Sequence, residues 1–340
     1  MKIETPFFWL GQTIKGMPKP WKYFKVDGLM VNAYEILQNP LINKLVRDEK
    51  IHPFLKYNGL VTMDSGGFQF IKRKMLNVDP WEILELYVQS KPDYGVILDH
   101  PIGPNLTRKA VRRRQLITLR NTKLMLRLHT HNNPRLIPVV HGYDTKSTVW
   151  FIKRLQELGD FDFIGIGSLV PFIYNMKGVF DTERAIEIIT CVRKMLPEKK
   201  IHVFGVGSTF TMHLMFYAGA DSVDSSAWRM KAAFGAIQLP GTGDRHVSNR
   251  KRHKKYLTLS KEEKRMLDEC KCPACREYSI QGLKNSFKLR AIHNAWVYQK
   301  ECERARRLIK SGEYEAYVRA MLGRTRFSKF LNIVDRLKTE

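Results

Sequence analysis

The sequence predicts an α/β protein built as a (β/α)8 TIM barrel, with a small cysteine-bearing subdomain inserted near the C-terminal end. Three observations predict it: short β-rich apolar runs alternate with stretches of helical spacing, eight such runs occur, and three cysteines crowd together after the last of them. Alternation of strand and helix favours parallel βα units, and eight units favour closure into a barrel. An open doubly wound sheet is the competing architecture. Gly165-Ile-Gly167 and Gly205-Val-Gly207 point that way, yet neither completes the third glycine of a dinucleotide-binding turn.

The runs are Gly28–Val31, Leu60–Met63, Gly95–Leu98, Leu136–Val140, Phe163–Ile166, His202–Phe204, Asp221–Val223 and a weaker eighth, Ala236–Leu239. Helix signals lie between them. Asp79-Pro80 offers a cap and a first-turn proline for a helix over Trp81–Ser90. Thr107 opens a long basic helix to about Leu128, and Thr145–Leu158, Thr182–Leu196 and Thr209–Tyr217 carry apolar residues at a 3.6 spacing. After Leu239 the character changes to a glycine-, proline- and base-rich loop, then the cysteines, then helical sequence. The expected division is a barrel over 1–240, a basic loop and metal-binding subdomain over 241–300, and C-terminal helices packing on the barrel over 301–340.

The formal charge is +25, from 58 Lys and Arg against 33 Asp and Glu. So basic a chain attracts polyanions, with nucleic acid foremost. The charge clusters at Arg112–Arg114, Arg245–Lys255 and Arg324–Lys329, which favours a surface that tracks phosphates. A uniformly basic surface with no such partner is the plainer reading. No apolar run reaches membrane-spanning length, and the N-terminus lacks a signal-peptide core, so a cytoplasmic protein is expected.

A disulfide framework is not expected in a reducing cytoplasm, and the tight trio Cys270, Cys272 and Cys275 reads as metal ligands instead. With His293 they make a Cys3His set that suits structural zinc, because it leaves no open coordination position. His293 is the least certain ligand, and His253 is a weaker candidate for its place.

A TIM barrel carries its function at the C-terminal ends of its strands. Those ends read Asp64-Ser-Gly-Gly-Phe-Gln69, Asp99-His-Pro101, His141-Gly142, Gly167-Ser168-Leu169, Phe204-Gly-Val-Gly207 and Asp224-Ser-Ser226. Each aspartate alone could be a helix cap. Three at one mouth, beside glycines that let a flat ring approach the backbone, suggest a base-binding site. Phe68 and Phe204 could stack on a base or simply pack the barrel rim. A carboxylate is a competent nucleophile at an anomeric carbon.

These motifs resemble the tRNA-guanine transglycosylase superfamily. Asp64-Ser-Gly-Gly-Phe-Gln69 is similar to its signature, His202–Gly207 with Asp221–Ala227 to the surroundings of its nucleophile, and Cys270-x-Cys272-x-x-Cys275 with His293-Asn294 to its zinc subdomain. The resemblance runs from about Val31 to Tyr298. It implies a pentosyltransferase in which Asp224 is the covalent nucleophile and Asp64 the general acid/base. It implies that Asp99 reads the guanine edge, that Gly167, Ser168 and Leu169 read a base carbonyl through the backbone, and that Phe68 and Phe204 stack, with Gln69 beside them. His141 stands where the tRNA enzymes usually place a base-binding glutamine. Guanine would leave and a 7-deazaguanine would enter by double displacement, with zinc as the sole cofactor.

Three departures favour DNA over tRNA as the expected substrate: no C-terminal RNA-binding extension of the archaeal kind, a short Cys275-to-His293 loop, and Asp224–Trp228 followed by Ala232–Gly235. The last resembles the transglycosylases of bacterial and phage 7-deazaguanine DNA-modification systems. Trp228 is read as core packing, or else as lining the nucleic-acid path. A homodimer or an accessory DNA-opening protein would fit, in a bacterial, archaeal or phage-infected cell. The alternatives are a tRNA enzyme and a non-catalytic nucleic-acid-binding subunit.

Overall fold

Nine strands make one parallel sheet in the computed structural model, which describes residues 3–70, 78–174, 181–249 and 256–339. They are β1 (Phe7–Gly11), β2 (Gly28–Asn32), β3 (Leu60–Asp64), β4 (Tyr94–Val96), β5 (Arg135–Ile137), β6 (Val139–Val140), β7 (Phe163–Ile166), β8 (Lys200–Val203) and β9 (Ser222–Ser225). Their lateral order is β5-β4-β3-β2-β1-β9-β8-β7-β6. The two ends of that order belong to one chain segment: β5 pairs with β4, and β6 pairs with β7. Pro138, which has no N–H to donate, lies between them, and its carbonyl accepts from Gly165 N at 2.8 Å. The segment is thus a single stave that changes partner halfway, and the eight-stave α/β barrel closes through it.

Period-two alternation explains the layers. Phe7, Trp9, Met30, Tyr94, Val96 and Val139 meet in a cluster within the sheet, while their neighbours Phe8, Leu10, Leu29, Val31 and Val140 belong to the larger core shared with the helices. Asp79 caps the helix Pro80–Ser90 with a reciprocal Glu82 bond, and Thr107 caps the helix Arg108–Leu128 through Ala110 N at 3.2 Å.

One expected barrel strand is corrected. Residues from Ala236 form β10 (Ala236–Gln238), which runs antiparallel to β11 (Asp244–His246); β11 pairs with β12 (Leu257–Thr258) in a separate sheet. Gly235, at φ 77°, turns the chain away from the barrel, and Gln238 N donates to Asn294 Oδ1 at 2.8 Å. The stave that fills the barrel is β1, which lies before the first strand expected from the sequence.

The last helices are bonded to the barrel. The helix Phe287–Lys310 places Tyr298 on Phe8 (centroids 5.3 Å apart) and Arg306 on Asp27 at 2.7 Å. Glu301 meets His213 at 3.3 Å with both side chains fully buried. Among the described residues, no helix is long and apolar enough to cross a membrane.

Candidate active site

Asp64 ends β3, and its Oδ2 accepts from Asn32 Nδ2 and Gly66 N, both at 3.2 Å. Burial, then the negative charges of Asp99 and Asp224, push its carboxyl up to about 8. The three carboxylates therefore sense one another at one mouth, as the strand-end reading expects. A proton on Asp64 at neutral pH relieves their repulsion.

Asp99 follows β4 and is almost fully buried. Its Oδ2 faces His141 Nε2 at 2.8 Å, and its Oδ1 accepts from Ser65 Oγ at 3.3 Å. Ile102 N donates to Ser168 Oγ at 2.7 Å, and that hydroxyl lies 2.8 Å from His141 Nδ1. A carboxylate oxygen of Asp99 accepts from Nε2, so in the neutral ring Nδ1 is left as the acceptor and the Ser168 hydroxyl donates to it. His141 then carries its hydrogen on Nε2 and donates it to Asp99. His141 is fully buried and both its nitrogens are engaged inside the protein, so the structure sets it behind Asp99. Ser168 holds this relay from a left-handed backbone (φ 71°), uncommon for a residue with a side chain.

Asp224, on β9, forms a second, parallel arrangement. Its Oδ1 accepts from Gly205 N at 2.6 Å and faces His202 Nε2 at 3.2 Å, while His202 Nδ1 meets Ser222 Oγ at 2.9 Å. His202 is absent from the expected site residues. A usable signal existed: Ile201 and Val203 belong to the outer core, so period two turns His202 and Phe204 to the face of Asp224. His100 is the other omission. Burial pushes it down to about 4, which keeps an uncharged imidazole beside Asp99.

Close backbone approach explains the glycines. A Cβ on Gly67 would lie 2.1 Å from Asp99 Oδ1, and one on Gly167 would lie 2.5 Å from the His141 ring. Gly66 adopts φ 90°. Phe204 is half-buried, edge-on to His202 with centroids 4.4 Å apart. Phe68 is 44% exposed and Gln69 is exposed at the rim. The Leu169 side chain lies in the core, so only its backbone could meet a ligand. Trp228 is also fully buried, and its Nε1 donates to Gly11 O at 2.9 Å. It packs the barrel and does not line a nucleic-acid path.

Apart from the mouth, Cys270, Cys272, Cys275 and His293 bring four ligand atoms within 4.8 Å of one another, a group that could hold a metal ion. The sulfurs lie 3.8, 3.4 and 3.4 Å from His293 Nδ1. Tetrahedral zinc geometry places a thiolate and an imidazole nitrogen about 3.5 Å apart, so the residues fit. His293 Nε2 donates to Gln238 O at 2.8 Å, which leaves Nδ1 free for a metal and fixes the ring. His253 lies outside the described residues.

The Queuine tRNA-ribosyltransferase family matches this chain over residues 1–326. The tRNA-guanine(15) transglycosylase of Methanococcus aeolicus is 30% identical over 295 residues, covering 84% of this chain and 42% of its own length. That of Pyrococcus furiosus is 27% identical over 328 residues, covering 92% of this chain and 51% of its own. The chain thus spans about half the length of the curated relatives it matches. These relatives overturn the expectation of a DNA-modifying enzyme. The local motif that suggested it, Asp224–Trp228, ends in a tryptophan whose indole serves barrel packing.

Proposed function

The chain belongs to the Queuine tRNA-ribosyltransferase family, and from that premise we propose that it is a pentosyltransferase exchanging a guanine of tRNA for another guanine-like base, such as a 7-deazaguanine. The observation that carries this reading is the convergence of three aspartates on one mouth, one of them pushed up to about 8. A nucleophile and a proton donor are both needed there, and two carboxyl groups in different environments can divide those roles.

In the proposed mechanism Asp224 attacks C1′ of the target nucleotide. The C1′–N9 bond breaks, its electron pair leaves on guanine, and Asp64 supplies the proton the base needs. The incoming base then gives its N9 proton to the Asp64 carboxylate and attacks C1′, and the Asp224 ester bond breaks. Two inversions retain the anomeric configuration, and no phosphodiester is cut. The Gly205 amide and His202 orient Asp224. Asp99, held by His141 and Ser65, accepts N–H bonds from the guanine edge. Phe68 and Phe204 flank the ring, with Gln69 and the Gly167–Leu169 backbone at its edges. The target must leave its stack to reach this mouth, at a cost of a few kcal/mol in a duplex.

Cys270, Cys272, Cys275 and His293 would hold zinc, which would stabilise the fold and take no part in the exchange. Residues 1–240, whose barrel ends before Gly235, would be the catalytic unit, with 241–300 as the basic and zinc-binding part and 301–340 as supporting helices. The test is incorporation of labelled guanine into an unmodified tRNA transcript by the chain as it stands. Transfer of label supports the reading, and failure at high enzyme concentration rules it out.

A further inference from the structure

The helix Arg108–Leu128 has eight lysines and arginines and no acid. At 100° per residue, Lys109, Arg113, Arg120, Lys123 and Arg127 fall within an arc of about 80°. All five are exposed, with Leu116 (52% exposed) and Leu124 (38%) among them. Among the described residues none of the five has a carboxylate partner, whereas surface cations elsewhere such as Lys44, Arg154 and Lys310 do. Lys109 and Arg113 stand four residues apart, as do Lys123 and Arg127, and such like-charge neighbours destabilise a helix. Nothing within the helix offsets that repulsion.

The opposite face of the same helix holds the base-binding loop. Asn121 Nδ2 donates to Leu98 O at 3.0 Å, Thr118 Oγ1 accepts from His100 N at 2.9 Å, and Arg114 Nη1 donates to Pro101 O at 2.5 Å. These are the residues on either side of Asp99. One rigid element about 31 Å long therefore presents a cationic outer stripe in fixed register with the mouth.

We propose that this outer stripe is a docking ridge for the ribose-phosphate backbone of the RNA substrate, so that phosphate contacts along Arg113, Arg120 and Arg127 deliver the target nucleotide to the mouth. The proposal rests on the tRNA reading above. Successive cations of the stripe stand about 6, 10, 5 and 6 Å apart along the helix axis, which suits a backbone whose charges recur every few ångströms. An anionic lipid surface would meet the same cations. It has no use for a register with Asp99, and the stripe's leucines are too few to make the broad apolar face of an interfacial helix.

The test measures affinity of the full chain for an unmodified tRNA transcript against salt, for the parent and for Arg113→Gln/Arg120→Gln/Arg127→Gln. The log–log salt slope is expected to become shallower by about 2 to 3 in the triple variant. The KM for tRNA rises, while kcat and the KM for free guanine stay unchanged. The Arg→Lys triple keeps the charges and restores the parent slope. An unchanged slope in the glutamine triple, or no tRNA binding by the parent, overturns the ridge. So does loss of binding to phosphatidylserine vesicles with tRNA affinity intact, which assigns the stripe to lipid. Failure of guanine exchange in the parent speaks against the proposed function alone, since the binding readout does not require chemistry.

Discussion

Replacing Asp64 by asparagine separates the acid from the nucleophile. Asp64 moves from 3.8 to about 8 through burial and the charges of Asp99 and Asp224. About nine-tenths of it is then protonated at pH 7 and about one-tenth at pH 9, so guanine release that needs the proton slows about tenfold over that interval. Asp64→Asn carries no titrating proton. It should lose roughly 10²–10⁴ in rate and show no descending limb above pH 7. Stability follows the same group. Its folded-state pKa lies above its unfolded one, so the folded form gains from the bound proton below pH 4 and loses that gain as pH rises through 8. The full shift corresponds to roughly 6 kcal/mol, an upper bound because Asp64 is only half-buried and water at the mouth screens it. Asp64→Asn should therefore be more stable than the parent at pH 9, and less advantaged at pH 5. Single-turnover release of labelled guanine across pH 5.5–9.5, with denaturant unfolding at both ends, measures both effects. A descending limb that persists in Asp64→Asn, or a parent profile governed only by an ordinary carboxylate below pH 5, would refute the assignment.

Asp224→Asn should abolish exchange and covalent capture of tRNA on denaturing gels while tRNA affinity holds; a captured adduct in that variant would move the nucleophile elsewhere. Gly67→Ala forces a methyl to 2.1 Å from Asp99 Oδ1 and should displace that carboxylate. Loss of its charged hydrogen bonds to the base predicts a KM for guanine about 10- to 100-fold higher, with tRNA binding, which also has phosphate contacts, weakened less. Cys272→Ala should lower bound zinc, measured by atomic emission, from about one per chain to none, and should reduce stability by several kcal/mol. Equal metal content in parent and variant would dismiss the Cys3His assignment.

Much of the barrel was legible because its middle staves are short apolar runs bounded by turn residues. β1 was not. Phe7–Gly11 is apolar on both faces and follows Pro6 near the terminus, where periodicity cannot mark a strand. Ala236–Gln238 failed in the opposite sense, since its composition suits a stave and only Gly235 and the bond to Asn294 send it elsewhere. In the site, the aspartates announced themselves by position at strand ends. What His141 does was hidden, because a sequence does not say that Ser168 adopts a left-handed backbone and turns its hydroxyl to that ring. The preference for DNA came in part from local likeness around Trp228, a residue fixed by contact with Gly11 some two hundred positions away.

The glycines of the mouth divide it into a fixed floor and an adjustable rim. Side chains at 67 and 167 would collide with Asp99 and His141, and Gly66 holds a backbone angle that other residues resist. Phe68 and Gln69, a step or two along the same loop, stand exposed at the rim. Laboratory evolution toward a bulkier or more polar incoming base should therefore accumulate changes at 68 and 69 and almost none at 66, 67 or 167. The same boundary means that a drift in base preference can occur without disturbing the carboxylates that perform the exchange.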